Sequence, residues 1–211
     1  MYVRNHMLPK DKLTIVYVDE SIGSALEKIN EGNFLSLPVF EGDTFRGILM
    51  KEAIYRYYFE TGCRDKDEFI NEVKVSELFT DKYKSIKENE LIENASYLLN
   101  EFRTPFLPVF DTEDRFAGIL THTAIFNAFS DLLGIGKGTR IMVNLFDIPG
   151  QMAKLVDVIS KEGINIVNFA IMDAKVLDVY NVVIRVGEME NTDALVEKIK
   201  KAGFKVVGVA K

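Results

Sequence analysis

Few residues in this sequence have both the type and the spacing for metal, thiol or phosphate chemistry. The two histidines, His6 and His122, are far apart, and neither belongs to a metal-binding motif. The single cysteine, Cys63, has no partner for a disulfide or a structural zinc site, so we interpret it as an incidental thiol. The glycine-rich residues 134–138 contain a Gly-Lys pair, but glycine rather than Ser or Thr follows it, which indicates a linker and not a phosphate-binding loop. No nucleophile, base and orienting group can be assembled from these motifs, and we expect no enzymatic activity.

The composition is that of a folded protein with an acidic balance. The chain has 211 residues, of which 47% are hydrophobic and 27% are charged, and its formal net charge is -6. This charge disfavours binding to nucleic acid or to anionic membranes. No apolar run approaches the roughly 18 residues of a membrane span, and the first twelve residues lack the apolar core of a secretory signal. We therefore expect a cytoplasmic protein without nucleic-acid or membrane partners.

An internal repeat organises the first two thirds of the chain. The sequence Leu-Pro-Val-Phe at residues 37–40 recurs at residues 107–110, and Gly-Ile-Leu at 47–49 recurs at 118–120. The second spacing is one residue longer than the first, which requires one extra residue in the second turn. Such self-similarity predicts two copies of one structural unit, packed as a pseudo-symmetric pair.

Each copy is predicted to have the order strand, helix, strand, strand, helix. An apolar stripe at helical spacing precedes each Leu-Pro-Val-Phe strand; its members are Ile22, Ala25, Leu26 and Ile29 in the first copy and Ile92, Ala95, Leu99 and Phe102 in the second. Pro38 and Pro108 fit edge positions, where no neighbour needs their amide. The closing helices span about residues 51–60 and 123–133, and the second is apolar almost all round, which predicts burial. Between the copies, residues 69–73 indicate a short connecting helix.

The last third of the chain has a different pattern. Alternating apolar residues predict a strand at 141–146, and a helical stripe follows at 152–159. Two strands at about 165–172 and 179–186, a helix around 195–199 and a strand at 205–209 complete the order βαββαβ. This order predicts a ferredoxin-like sheet with two helices on one face.

These motifs resemble two known families. The duplicated helix, hydrophobic-Pro-Val strand and Gly-hydrophobic-hydrophobic strand resemble a tandem pair of cystathionine-β-synthase (CBS) domains, known as a Bateman module. Residues 147–152, followed by Gly-Ile-Asn-Ile at 163–166, resemble the start of an ACT domain. The order CBS, CBS, ACT is similar to that of the bacterial acetoin-utilisation regulatory proteins. The expected fold is α+β, with CBS repeats at 1–62 and 80–133, a connecting helix and linker at 63–79, a glycine-rich linker at 134–138 and a ferredoxin-like ACT domain at 139–211.

The resemblance implies that the CBS pair binds an adenine nucleotide or a related compound. In this family a strand-to-helix junction of the form Gly-h-h-Ser/Thr-x-x-Asp presents a hydroxyl and helix amides to phosphate, and its carboxylate accepts the ribose hydroxyls. The second repeat keeps Thr121 but has Ala124 at the acidic position, and the first repeat has Met50 and Ala53. Because no ribose-binding acid accompanies Thr121, a helix cap alone is the preferred interpretation of this residue, and both interpretations stay open. The residues assigned to this site are Pro38, Val39, Lys51, Pro108, Val109, Thr121, His122 and Ala124.

For the ACT segment, the resemblance implies a small effector, commonly an amino acid. Asp147 can bind an ammonium group, and the amides near the helix start can bind a carboxylate. Asn165 is expected to contact the effector across a dimer interface. The alternative is structural: Asp147 caps the turn, Pro149 starts the helix and Asn165 makes a local bond. The assigned residues are Asp147, Pro149, Gly150, Gln151, Met152, Asn165 and Ile166.

We therefore predict a non-catalytic sensor that assembles as a homodimer, with an adenylate or amino-acid effector and an unidentified downstream protein as partners. Apart from a nucleotide ligand, no cofactor is predicted. Four aromatic residues at 55–59 cluster on one helix, which favours packing in a dimer over base stacking. The alternative is an interaction scaffold with vestigial pockets, motivated by Met50, Ala53 and Ala124.

Overall fold

The computed structural model describes residues 1–62, 65–176, 178–189 and 191–210, and the side chain of Val176 is not described. Cys63 therefore lies outside the described residues. The chain divides into two compact units, Met1–Phe126 and Asn127–Lys211, and each is described by itself.

The first unit contains the first copy of the repeat and the second copy as far as Phe126, within its closing helix. A short strand, β1 (Leu8–Pro9), precedes the first copy, which consists of β2 (Val16–Tyr17), α1 (Ile22–Glu31), β3 (Ser36–Glu41), β4 (Thr44–Met50) and α2 (Lys51–Glu60). The connecting helix α3 (Lys66–Glu72) buries Phe69, as predicted. The second copy consists of β5 (Ile86–Lys87), α4 (Ile92–Phe102), β6 (Phe106–Phe110), β7 (Phe116–Thr121) and α5 (His122–Leu132). The predicted order of elements is confirmed.

Each copy is completed by the segment that precedes the other copy. Strand β1, at the start of the chain, pairs with β7 of the second copy, where Leu8 lies opposite Ile119. Thr80, which precedes the second copy, pairs in the same way with Ile48 in β4 of the first copy. The resulting sheets have the orders β2-β3-β4 and β1-β7-β6-β5. Neither copy is therefore an independent sheet.

The glycine of each Gly-Ile-Leu motif allows these segments to cross. A Cβ on Gly118 would lie 2.2 Å from the carbonyl oxygen of Leu8, and a Cβ on Gly47 would lie 2.2 Å from the carbonyl oxygen of Thr80. Both distances are far below van der Waals contact, and the obstructing atoms belong to backbone. A side chain at either position would push the crossing segment away from the sheet.

Pro38 and Pro108 do not lie on edge strands, contrary to the expectation, because β3 and β6 have neighbours on both sides. Strand β2 pairs with β3 only from Val39 onwards. On the other side, Ile48 lies opposite Pro38 but directs both its N–H and its C=O towards Thr80. No neighbouring carbonyl therefore needs an amide from Pro38. The same register recurs around Pro108 in the second copy.

Aromatic side chains join the two copies. Phe45 stacks on Phe116 with ring centroids 4.7 Å apart, and Phe40 meets Phe116 edge-on at 5.2 Å. Phe110, at the position equivalent to Phe40, packs in the same cluster. The sheets of the two copies therefore share one aromatic core inside the first unit.

Helix α5 is not buried, contrary to the prediction from its composition. Ile125 and Ala128 pack inwards, but Phe126 is 68% exposed. On α2, Phe59 is 76% exposed, and Phe102 at the end of α4 is also exposed rather than part of the core. The prediction of burial from apolar composition therefore overestimated how much of these helices is covered by the sheets.

The second unit has the predicted order βαββαβ. Its elements are β8 (Thr139–Phe146), α6 (Gln151–Ser160), β9 (Ile166–Val176), β10 (Val179–Val186), α7 (Thr192–Lys201) and β11 (Lys205–Ala210). The strands pair antiparallel in the order β11-β8-β10-β9. Leu155 and Ile159 of α6 and Leu195 and Ile199 of α7 pack on one face of this sheet, where they form a single buried core.

Candidate functional site

A cavity of about 890 Å³ lies in the first unit and is lined by both copies of the repeat. The same structural positions contribute from each copy: the loop between the first helix and the following strand, and the junction between the last strand and the closing helix. The lining residues that concern us are Asn33, Met50, Lys51 and Tyr55 from the first copy, Arg103, Thr121 and His122 from the second, and Leu8 from β1. We call this cavity the cleft.

Thr121 caps helix α5 and also lines the cleft. Its Oγ1 accepts a hydrogen bond from the backbone N–H of Ala124 at 3.2 Å, as expected for an N-cap residue. The hydroxyl hydrogen is left to donate to another group. Met50 holds the equivalent position before α2 and makes no cap. The cap interpretation of Thr121 is therefore correct, and it does not exclude contact with a ligand.

Polar groups are distributed unevenly in the cleft. In the first copy, the Nζ of Lys51 donates to Asn30 Oδ1 at 2.8 Å, and Glu52 is paired with Arg56. In the second copy, the side chains of Arg103 and His122 make no hydrogen bond or ion pair with any described residue. The guanidinium of Arg103, in the second half of the cleft, is therefore unengaged, whereas the ammonium of Lys51 in the first half is not.

Several predicted site residues lie elsewhere. Val39 and Val109 are in the core, and Pro38 and Pro108 are buried within the sheets, so none of the four lines the cleft. Ala124 does not line it either, although its amide fixes Thr121. Of the predicted residues, the structure brings together Lys51, Thr121 and His122.

Leu8 and Arg103 are among the contributors to the cleft that sequence reasoning missed. Leu8 reaches it because β1 pairs with β7, a contact between residues more than one hundred positions apart. Arg103 lies in it because the backbone turns sharply after α4. Its φ of 48° and ψ of 33° are left-handed, and no glycine marks this turn in the sequence.

The second unit has a smaller pocket of about 350 Å³ beside the junction of β8 and α6. Asp147, Gln151 and Met152 line it, as predicted, together with Tyr180 from β10. The hydroxyl of Tyr180 donates to Asp147 Oδ2 at 3.4 Å, and the negative charge of Asp147 raises the pKa of Tyr180. Tyr180 was not predicted, because only the register of β10 against β8 brings it to Asp147.

The start of α6 differs from the structural alternative in which Pro149 begins the helix. Gly150, with φ of 87°, is the N-cap, and the helix begins at Gln151, so Pro149 does not start it. Neither Pro149 nor Gly150 lines the pocket. Asn165 and Ile166 lie near the opposite end of the sheet, since Ile166 pairs with Val186 whereas the Asp147 end of β8 pairs with Val179. Within one chain these two residues do not meet Asp147.

Among the described residues there is no group of three or more His, Cys, Asp or Glu side chains placed to hold a metal ion. No helix in the described part of the chain combines the length and the hydropathy needed to span a membrane.

Comparison with known families decides the identity of the first unit. The family model for the CBS domain matches twice, at residues 3–60 and 75–131, which together make up more than half of the chain. The chain belongs to the CBS-domain family. The two matches fall on the two copies of the repeat, so the first unit is a tandem CBS pair. CBS pairs are generally regulatory rather than catalytic modules.

Solved structures of CBS pairs have the same fold. CBSX2 in complex with AMP, a protein of Arabidopsis thaliana, is 24% identical with a TM-score of 0.54, and the match covers 62% of this chain and 97% of that one. CbpB in complex with c-di-AMP is 19% identical with a TM-score of 0.54, covering 64% and 87%. The CBS domain of a bacterial CNNM/CorC family Mg2+ transporter in complex with ATP is 17% identical with a TM-score of 0.52, covering 60% and 85%. No curated protein matches this CBS protein significantly.

Proposed function

We propose that this CBS protein is a non-catalytic regulator that binds an adenine nucleotide, or a related compound, in the cleft. The observation that carries the proposal is the cleft itself, because both repeats contribute their strand-to-helix junctions to one cavity that combines apolar walls with polar side chains from each copy. Structurally similar CBS pairs were solved with AMP, ATP and c-di-AMP, which supports the choice of ligand class.

The residues present fit such a ligand in part. A base can pack against apolar and aromatic side chains such as Met50 and Tyr55, and the free hydroxyl hydrogen of Thr121 can donate to a phosphate. The positions at which the family has a ribose-binding carboxylate are Ala53 and Ala124. AMP and 2′-deoxy-AMP should therefore bind with similar affinity, and Ala124→Asp should introduce a preference for AMP of about tenfold.

We propose that the second unit is a ferredoxin-like ACT domain that binds a small effector such as an amino acid. Its element order and strand order support this assignment, as does the pocket beside Asp147. Asp147 would bind the ammonium group, with Tyr180 holding its carboxylate in place. The order CBS, CBS, ACT extends the proposal to a similarity with the acetoin-utilisation regulatory proteins.

We further propose a homodimer that transmits ligand binding to a downstream protein. Tyr55 and Phe126 are equivalent positions on α2 and α5, and both are exposed, as is Phe59. Exposed aromatic side chains on two closing helices are suited to packing against a second copy. A scaffold with vestigial pockets is the second candidate, and it is favoured by Met50, Ala53 and Ala124, which lack the polar groups that nucleotide binding uses elsewhere in the family.

A thermal-shift panel tests the proposal. The purified protein is screened against adenosine, AMP, ADP, ATP, cyclic di-AMP and the twenty amino acids. A ligand at 100 times its dissociation constant adds about 2.7 kcal/mol to the native state, which raises the Tm by several degrees. An adenylate response that Thr121→Val weakens and Thr121→Ser retains would support the cleft, and an amino-acid response lost in Asp147→Ala would support the second pocket. No response in the whole panel would reject sensing in favour of the scaffold.

A further inference from the structure

The residue that ends helix α4, Arg103, adopts a backbone conformation that suits glycine. Its φ of 48° and ψ of 33° place it in the left-handed region at the C-terminal end of the helix. Glycine is usual at such positions, because a Cβ is strained there. Among residues with a side chain, asparagine is tolerated best. The equivalent residue of the first copy, Asn33, has a φ of 50°. The second copy thus carries a long cationic side chain where the backbone favours glycine, and strain of this kind suggests a role for the side chain.

The surroundings of Arg103 indicate what that role is. Arg103 lines the cleft, and its guanidinium makes no ion pair, hydrogen bond or ring contact with any described residue. The ammonium of Lys51, which also lies in the described lining, is already engaged with Asn30. The carboxylate in the described lining, Glu52, lies in the first copy and is paired with Arg56.

The half of the cleft around Arg103 therefore combines an unengaged guanidinium with the Thr121 hydroxyl and the His122 imidazole. A guanidinium binds phosphate oxygens through two parallel hydrogen bonds, which a lysine cannot reproduce. The opposite half is lined by apolar and aromatic groups such as Met50 and Tyr55, and the ammonium there, that of Lys51, is already engaged with Asn30. This polarity suits a ligand with a planar apolar part and one anionic group.

We propose that Arg103 binds the anionic group of the ligand in the cleft and thereby fixes its orientation, with the phosphate of a nucleotide in the second copy and the base towards the first. The proposal rests on the proposed nucleotide binding, and it assigns the selectivity for charged over uncharged ligands to one residue. Its strained backbone is retained because the side chain serves the ligand rather than the fold.

The test compares AMP, adenosine and pyrophosphate by isothermal titration calorimetry on the full chain. Arg103→Gly removes the guanidinium and relieves the backbone, so the Tm should stay constant or rise, which excludes misfolding as the cause of lost binding. AMP affinity should fall at least tenfold, adenosine affinity should change less than twofold, and Arg103→Lys should be intermediate. Lys175→Gly is the matched control: it also removes a cation from a left-handed position, with φ of 57°, but outside the cleft, and it should leave the ratio of AMP to adenosine affinity unchanged.

The outcomes separate this proposal from the one on which it rests. If AMP binds and Arg103→Gly does not alter the ratio of AMP to adenosine affinity, Arg103 has no role in anion binding while the nucleotide site stands. If pyrophosphate binds in an Arg103-dependent manner and AMP does not bind, the anion site stands and nucleotide sensing is rejected. If neither probe binds the unmodified protein at millimolar concentration, both proposals are overturned.

Discussion

The close crossing of β1 over Gly118 predicts that even the smallest side chain at this position destabilises the CBS pair. In Gly118→Ala the new Cβ would lie 2.2 Å from the carbonyl oxygen of Leu8 and 3.0 Å from the Cα of Pro9. Ordinary contact begins near 3.4 Å, so the segment must retreat by about 1 Å. Neither obstructing atom belongs to a side chain that can rotate away.

The expected cost follows from what the retreat disrupts. Overpacking at a rigid site costs about 1–3 kcal/mol, and weakening the two-residue pairing of Leu8 and Pro9 with β7 adds about 1 kcal/mol for each lost hydrogen bond. We expect the free energy of unfolding to fall by about 2–4 kcal/mol, which corresponds to a decrease in Tm of roughly 5–12 °C in a chain of this size. Gly47→Ala should have a similar effect, because the Thr80 carbonyl obstructs it at the same distance.

Differential scanning calorimetry and hydrogen exchange measured by mass spectrometry check this prediction. Gly187→Ala is the control, since its Cβ would meet only the Asn165 carbonyl oxygen at 3.9 Å. Peptides covering residues 1–9 should lose protection in Gly118→Ala and keep it in the control. Equal melting temperatures for the two variants, or unchanged protection of residues 1–9, would refute the argument from the crossing segment.

Three further predictions concern single side chains. Thr121→Val removes the cap of α5 and should lower the free energy of unfolding by about 1 kcal/mol in urea denaturation, with Thr121→Ser close to the unmodified protein. Asp147→Asn removes the charge that raises the pKa of Tyr180, so that pKa should move down towards its ordinary value, as followed by NMR of the labelled tyrosine ring. Burial opposes ionisation of Glu20, but hydrogen bonds led by that from Lys28 lower its pKa overall. The stabilisation from Glu20 is therefore present above its unfolded pKa and lost on acidification, so Glu20→Gln should be less stable at pH 7, by up to about 1 kcal/mol, and equal to the unmodified protein near pH 3.

The fold was largely predictable because its signals are local. The stripe of Ile22, Ala25 and Ile29 specifies α1 and its buried face, and the repeated motifs specify the strands that follow. The exchange of segments was not predictable, because Leu8 and Thr80 pair with strands of the other copy and carry no periodic pattern of their own. The positions of Pro38 and Pro108 on central strands were missed for the same reason. A proline fits there only because the residue opposite it, such as Ile48 opposite Pro38, hydrogen-bonds to the exchanged segment instead.

The cleft could be predicted only where a helix start was visible. Thr121 has the type and the position of an N-cap residue. In the structure its side chain both caps helix α5 and lines the cleft. Arg103 gives no such signal, because the left-handed turn after α4 contains neither glycine nor asparagine at that residue. In the second unit, Asp147 was predicted and Tyr180 was not, since a cross-strand neighbour is known only once the register is known.

Leu8 connects the stability of the CBS pair with ligand binding. It holds β1 on β7 by backbone pairing, and it also forms part of the cleft wall. A ligand that contacts this wall binds the docked form of residues 1–9 in preference to the undocked form. It therefore stabilises docking, at most by the full free energy that ligand binding adds to the native state. At 100 times its dissociation constant this limit is about 2.7 kcal/mol, which corresponds to roughly a hundredfold increase in the hydrogen-exchange protection of residues 1–9. A ligand that binds tightly in the cleft without changing this protection would lie away from Leu8, and ligand binding would then be independent of the exchanged segment.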